Sequence, residues 1–137
     1  MKTDLVKVLE PQKGDALQRM RVYRTACELL PECFGDAKEL AGNEITAKVS
    51  AQLYTAVGSI AANLAEGYAH SSGKDRARIF EYALGSARES TSWYIAAKPI
   101  LGSEVVDARL AKLDEIRRML LAIIPRERDR LIRPRKT

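Results

Sequence analysis

Apolar residues recur at helical spacing along most of the chain. From Asp15 onward they return every three or four residues, and almost no segment shows the period of two that a half-buried strand requires. The first helix is predicted to start at Asp15 as its N-cap, to kink at Pro31 and to end at Gly35. Its predicted inner stripe is Met20, Tyr23, Cys27, Leu30 and Phe34.

Gly42 and Asn43 mark the next break, after which a second helix is predicted to begin between Glu44 and Ser50 and to end near Gly67. Its bulky stripe is Leu53, Val57, Ile60 and Leu64. A second stripe of small and polar residues lies beside it and comprises Ala56, Ser59, Asn63 and Glu66. Both faces are therefore predicted to make contacts, which is more than an amphipathic surface helix needs.

Two further helices follow. Ser72 and Asp75 resemble a capping box, and a third helix is predicted from about Lys74 to Lys98, ended by Pro99 and Gly102. Its inner face is predicted to contain Ile79, Phe80, Ala83, Ala87, Ser90, Tyr94 and Ala97. A fourth helix is predicted to begin with Ser103 as its cap and to end at Pro125. Its stripe is Val106, Leu110, Leu113, Ile116, Leu120, Ile123 and Ile124.

The connections between these helices are mostly short enough to make consecutive helices antiparallel neighbours. The predicted fold is therefore an all-α, up-down four-helix bundle. An N-terminal arm is predicted over residues 1–14, the bundle over 15–125 and a basic tail over 126–137.

Composition fits a single globular domain. The 137 residues are 46% apolar and 30% charged, without an apolar run of about 18 residues, so no membrane association is expected. The first ten residues are charged throughout and do not resemble a signal peptide, so we expect a cytoplasmic protein. Cys27 and Cys33 are the two cysteines, and without a CxxC or Cys/His array we expect reduced thiols and no metal site.

The positive charge is concentrated at the C-terminus. The net charge is +5, and residues 126–137 contribute +4 of it. The six cations of this tail are Arg126, Arg128, Arg130, Arg133, Arg135 and Lys136. They favour an anionic partner such as RNA or DNA. The alternative is a solvated terminus that aids solubility, and the sequence leaves both open.

Residues for catalysis are scarce. The single histidine, His70, is expected in a solvated loop rather than beside a nucleophile. Glu66 and Glu89 could face one another as an acid–base pair, but each is more simply held by an arginine or by backbone groups. Asn63 is expected to be buried and to donate across helices, fixing packing register, with contact to a ligand as the alternative. We therefore expect no catalytic residues, no cofactor and no enzymatic activity.

Two central stretches carry a family resemblance. Residues 52–67, with Gln52-Leu53, Ser59-Ile60 and Asn63-Leu-Ala-Glu-Gly67, resemble the "QLRRAxxSIxxNIAEG" signature of the 23S rRNA intervening-sequence proteins. Residues 80–89 resemble its "FLxxAxGSxxE" partner, and residues 113–120 are similar to the fourth helix of that family. The motif residues matched here are Ser59, Asn63, Glu66, Gly67, Gly85, Ser86 and Glu89.

The resemblance implies a left-handed bundle that assembles as a homopentamer without an established catalytic site. Related bundles serve as accessory proteins of diversity-generating retroelements, where a basic pentamer associates with nucleic acid and a reverse transcriptase. One family arginine is replaced here by Thr55 beside Tyr54, and Arg76, Arg78 or Arg88 could supply that charge instead.

These observations predict a non-enzymatic oligomer that engages nucleic acid, or a protein bound to nucleic acid, through its basic surface and tail. The alternative is a protein-interaction scaffold that does not bind nucleic acid. Salt sensitivity would separate the two, because phosphate contacts weaken steeply as salt rises.

Overall fold

The computed structural model describes residues 15–130, which form one short and four long helices and no strand. The helices are α1 (Ala16–Arg19), α2 (Arg21–Ala41), α3 (Ala47–Ala69), α4 (Gly73–Leu101) and α5 (Ser103–Arg128). Each long helix packs against the next, and α2 also meets α5 along a narrower seam. This arrangement confirms the predicted all-α helical bundle. Between residues 15 and 130, no helix is long and apolar enough to cross a membrane.

The predicted helix caps are largely confirmed. Asp15 accepts a hydrogen bond from the Leu17 N–H at 3.0 Å, and Ser72 accepts one from the Asp75 N–H at 3.4 Å. Gly102 ends α4 with a φ of +85°, a left-handed conformation that an L side chain rarely adopts. The prediction that Ser103 caps the last helix is wrong, because Gly102 is the N-cap and no side chain caps that end.

Two prolines and one glycine do not end the helices as predicted. Pro99 and Pro125 lie inside α4 and α5, which continue to Leu101 and Arg128. The first long helix contains Pro31 and continues past Gly35, its predicted end, to Ala41. A proline removes one backbone hydrogen bond from a helix and usually breaks it. All three prolines are exposed. Water can therefore hydrate the carbonyl that loses its partner, and packing on the opposite side holds the helix together.

The bulky stripes of α3 and α4 form the core as predicted. Leu53, Val57, Ile60 and Leu64 are completely buried, as are Phe80 and Tyr94 on α4. From α5, the buried residues are Val106, Leu113, Ile116, Leu120 and Ile124, while Leu110 and Ile123 lie at the edge of the core.

The predicted inner stripe of α2 is wrong by one helical position. Phe34 is 55% exposed, and the other predicted members of that stripe are only partly buried. The buried face instead contains Val22, Ala26, Leu29, Cys33 and Leu40. Two apolar stripes therefore lie side by side on this helix, and the one with smaller side chains faces the core.

Ionic groups join α2 to α5 along their narrow seam. Arg109 donates from Nε to Asp36 Oδ2 at 2.7 Å and also pairs with Glu32, which pairs in turn with Lys112. The Tyr94 hydroxyl donates to the same Asp36 oxygen at 2.7 Å. Because Asp36 is buried, these two donors stabilise a carboxylate that would otherwise be costly to desolvate.

Candidate assembly and nucleic-acid surfaces

The family-motif residues lie mostly on the outside of the bundle, along α3 and α4. Gly67 is the exception, since it is buried. It packs so closely on α4 that a Cβ there would lie 2.8 Å from the Phe80 ring. Glu66, Gly85 and Glu89 are exposed, and Ser59, Asn63 and Ser86 are partly exposed. The motif therefore presents polar groups to the surroundings of the bundle rather than to its core.

Asn63, expected to be buried, is partly exposed. Within residues 15–130 its amide forms no hydrogen bond to another helix, whereas Ser59 Oγ donates to the Thr55 carbonyl of its own helix at 2.8 Å. The expectation of a register-fixing hydrogen bond inside one bundle is therefore wrong. Solvent exposure leaves the amide available to a partner.

Glu66 and Glu89 do not form an acid–base pair. Gly67 lies against Phe80 where the antiparallel helices α3 and α4 pack, so Glu89 is displaced from Glu66 by roughly eight residues, or about 12 Å, along the helix axis. Glu89 accepts a hydrogen bond from Trp93 Nε1 at 3.2 Å within α4. The two carboxylates are therefore too far apart to share a proton.

Four helix termini lie together at one end of the bundle, namely the beginnings of α2 and α4 and the ends of α3 and α5. A Cβ on Gly73 would lie 2.1 Å from the Glu127 carbonyl oxygen, so α4 begins in direct contact with the end of α5. Arg76 lies over the Tyr68 ring at 4.7 Å and donates from Nε to the His70 carbonyl at 2.6 Å. His70 is the C-cap of α3, and it therefore lies in a loop, as the sequence predicts.

Charge is distributed unequally between the two halves of the bundle. The half formed by residues 15–31, 58–87 and 116–130 contains eleven Lys and Arg against seven Asp and Glu, a net charge of +4. The half formed by residues 32–57 and 88–115 contains six Lys and Arg against nine Asp and Glu, a net charge of −3. We call the first half the basic end. Such a polarity attracts an anionic polymer to one end of the molecule.

Three of the cations predicted to bind nucleic acid lie at the basic end. Arg126 and Arg128 occupy the last turn of α5, and Arg130 follows it. Arg128 pairs with Glu81, Arg130 lies 3.7 Å from Glu127, and Arg126 is exposed without an ion pair in the described part of the chain. Arg133, Arg135 and Lys136 lie outside the described residues.

The fold adds cations that the sequence analysis did not assign to this surface. Arg19, Lys74 and Arg78 are exposed at the basic end and have no ion pair with any residue from 15 to 130. They are distant from the tail in sequence, and only the antiparallel arrangement brings them to the same end. The basic surface is therefore larger than the tail.

A furrow runs along the outer side of α4 and α5. It contains two adjoining cavities of about 320 and 440 Å³, and Arg88 lines both. Arg88 has no ion pair within residues 15–130, whereas Asp114 at the furrow edge is held by Arg117 at 2.7 Å. This hydrogen bond, with the charge of Arg118, lowers the pKa of Asp114. Arg88 is consequently the cation in the furrow that is free to meet a new anion.

The thiols offer little reactivity. Both cysteines are free, and burial raises the pKa of Cys33 to about 11, which keeps it protonated at neutral pH. In the described chain, no three His, Cys, Asp or Glu side chains are close enough to hold a metal ion.

Taken together, the packed helices and the outward position of the motif define a small all-α helical bundle. The chain belongs to the 23S rRNA-intervening sequence protein family, whose sequence profile matches residues 18–122. The fold is similar to the crystal structure of a protein of unknown function from the S23 ribosomal protein family of Bacteroides thetaiotaomicron VPI-5482. That likeness has a TM-score of 0.71 at 23% identity and covers 75% of this chain and 97% of the other. No curated protein sequence matches the chain.

Proposed function

We propose that the protein is a non-enzymatic, cytoplasmic homopentamer that binds RNA or DNA through its basic end. The observation that carries the nucleic-acid part is the charge polarity of +4 against −3 between the two halves of the bundle. Phosphate contacts of this kind give affinity without sequence preference. The number five rests on the family resemblance, and the retroelement and reverse-transcriptase association stays a prediction.

Self-assembly is supported by the outward position of the motif and by the composition of α3. Between Lys48 and His70 this helix contains one charged residue, Glu66. Repetition of a weak basic surface around an oligomer raises the effective concentration of cations on one nucleic acid and so strengthens binding.

Binding is tested with fluorescently labelled single-stranded RNA and duplex DNA in a salt titration. The triple variant Lys74→Gln, Arg78→Gln, Arg126→Gln should bind more weakly, because it removes exposed cations that lack an ion pair in the described chain. The dependence of log affinity on log salt should become shallower by roughly 0.7–0.9 for each phosphate that the variant no longer neutralises.

The matched control removes three exposed lysines, Lys38, Lys48 and Lys98, from the acidic half. It changes the net charge by the same amount and should retain nearly all the affinity. Absence of binding at low salt, or an equal decrease in affinity in both variants, would contradict the proposed nucleic-acid role.

The scaffold alternative is favoured by one exposed aromatic pair. Phe34 and Tyr54 are 55% and 43% exposed, and their rings pack edge to face at 5.8 Å. Rigid aromatic side chains of this kind are frequent anchors of protein interfaces. A protein partner retained after nuclease treatment, and released by Phe34→Ser with Tyr54→Ser, would favour this alternative.

A further inference from the structure

The outer face of α3 is an uncharged ridge apart from one carboxylate. From Ala51 onward its exposed residues are Ala51, Gln52, Tyr54, Thr55, Ala62, Glu66 and Ala69. A helix face that remains in water normally carries several charges. Four of these seven residues, Ala51, Thr55, Ala62 and Ala69, have small side chains that allow another surface to approach the helix closely, so this composition points to a partner.

The furrow between α4 and α5 has the complementary shape and charge. Its floor is apolar and includes Leu84, Leu113 and Ile124, while Leu121 at its edge is 44% exposed. Gly85 lines the furrow and faces open space, because a Cβ at this position would meet no atom within 4 Å. Arg88 lines both cavities of the furrow and has no ion pair among residues 15–130.

We propose that the α3 ridge of one copy docks in the α4–α5 furrow of the next, with Glu66 paired to Arg88. This inference rests on the homo-oligomer of the proposed function and names the surfaces that build it. Glu66 is the one charge on the ridge, and Arg88 is the free cation of the furrow. The two faces of a single chain therefore match in shape and in charge.

The ridge and the furrow are different surfaces, so the contact is head-to-tail rather than two-fold symmetric. They lie on neighbouring sides of the bundle, since α3 packs directly on α4. Repetition of the contact therefore curves toward a closed ring instead of extending as a straight filament. Glu66 is nearer the basic end than Arg88, so successive copies are tilted, as helices are when ridges pack into grooves.

An acidic amphipathic helix of another protein would also fit the furrow. That occupant would leave the uncharged ridge of α3 facing water, whereas a second copy covers both surfaces at once. The second copy is therefore the better explanation of the two faces together.

Charge reversal tests the proposed pair by light scattering and sedimentation. Glu66→Arg and Arg88→Glu should each weaken assembly by roughly tenfold or more, because each places like charges together in the contact. The double variant Glu66→Arg, Arg88→Glu should restore assembly. Both residues are exposed, so circular dichroism should show the same helix content in all variants.

Filling the furrow tests the docking surface independently of charge. Gly85→Leu places a side chain in the furrow and should abolish assembly. The matched control is Gly35→Leu on α2, where a Cβ also meets nothing within 4 Å on an exposed helical position. That control should assemble as the unaltered protein does.

The outcomes separate this inference from the proposed function. Normal assembly of Gly85→Leu, or failure of the double charge reversal to restore assembly, would overturn the interface while leaving the oligomer intact. A monomeric unaltered protein would overturn both the oligomer and this interface, and would leave the furrow to a helix of another protein. Nucleic-acid binding is measured separately; loss of assembly should weaken it, because the basic ends are no longer repeated on one particle, and should not abolish it.

Discussion

Asp36 connects three helices through two donors. It lies on α2, accepts from Tyr94 of α4 at 2.7 Å, and pairs with Arg109 of α5. Burial, and then the hydrogen bond to Asp36, raises the pKa of Tyr94 above that of an exposed tyrosine. The hydrogen bond to Asp36 likewise raises the pKa of Arg109. Tyr94 and Arg109 therefore remain donors throughout the physiological range, which suits a structural rather than a proton-transferring role.

Tyr94→Phe should lower the free energy of unfolding by about 1.5–3 kcal/mol, because it removes a hydrogen bond to a buried charge and leaves that charge with fewer donors. Urea unfolding followed by circular dichroism measures the change. Tyr82→Phe is the control, since Tyr82 is 55% exposed, and it should change stability by less than about 0.5 kcal/mol. Equal effects in the two variants would show that the Asp36 network contributes little.

At the scale of helices, the start of α4 is held against the end of α5 by the absence of a side chain at Gly73. Gly73→Ala would place Cβ 2.1 Å from the Glu127 carbonyl oxygen, and backbone atoms cannot move aside as a flexible side chain does. We expect unfolding free energy to fall by about 1–3 kcal/mol. Hydrogen exchange of the last turn of α5 should become faster.

Gly35→Ala is the control for this substitution, because Gly35 is exposed in a helix and has open space at Cβ. It should be neutral or stabilise by about 0.5–1 kcal/mol through helix propensity. A Gly73→Ala protein as stable as this control would mean that the two helix ends separate without cost.

The sequence predicted α3 and α4 well because each has one bulky stripe, as with Leu53, Val57, Ile60 and Leu64. It failed on α2, where two apolar stripes one residue apart, one with Cys33 and the other with Phe34, have the same helical period, and only packing against the other helices decides which one is buried. It also failed to join Arg78 to the C-terminal cations. Residues that are distant in sequence become neighbours only when the helices are placed, and local periodicity does not contain that information.

At the scale of the whole molecule, the net charge of +4 at the basic end is counted without the last seven residues, which carry three further cations. Replacing Arg133, Arg135 and Lys136 with Gln should lower nucleic-acid affinity and the salt slope, and should leave the unfolding midpoint unchanged. Anisotropy and thermal unfolding measure the two effects. Unchanged affinity would favour the alternative in which these cations only aid solubility.

If the copies form a ring, the basic end of each copy makes the two faces of that ring differ in charge. A head-to-tail ring with cyclic symmetry has no two-fold axis across it, so every copy points the same way. All basic ends would then lie on one face and all acidic ends on the other, giving the ring a front and a back. Residues 15 and 130 both lie at the basic end, so the chain enters and leaves the described bundle on the front face of such a ring.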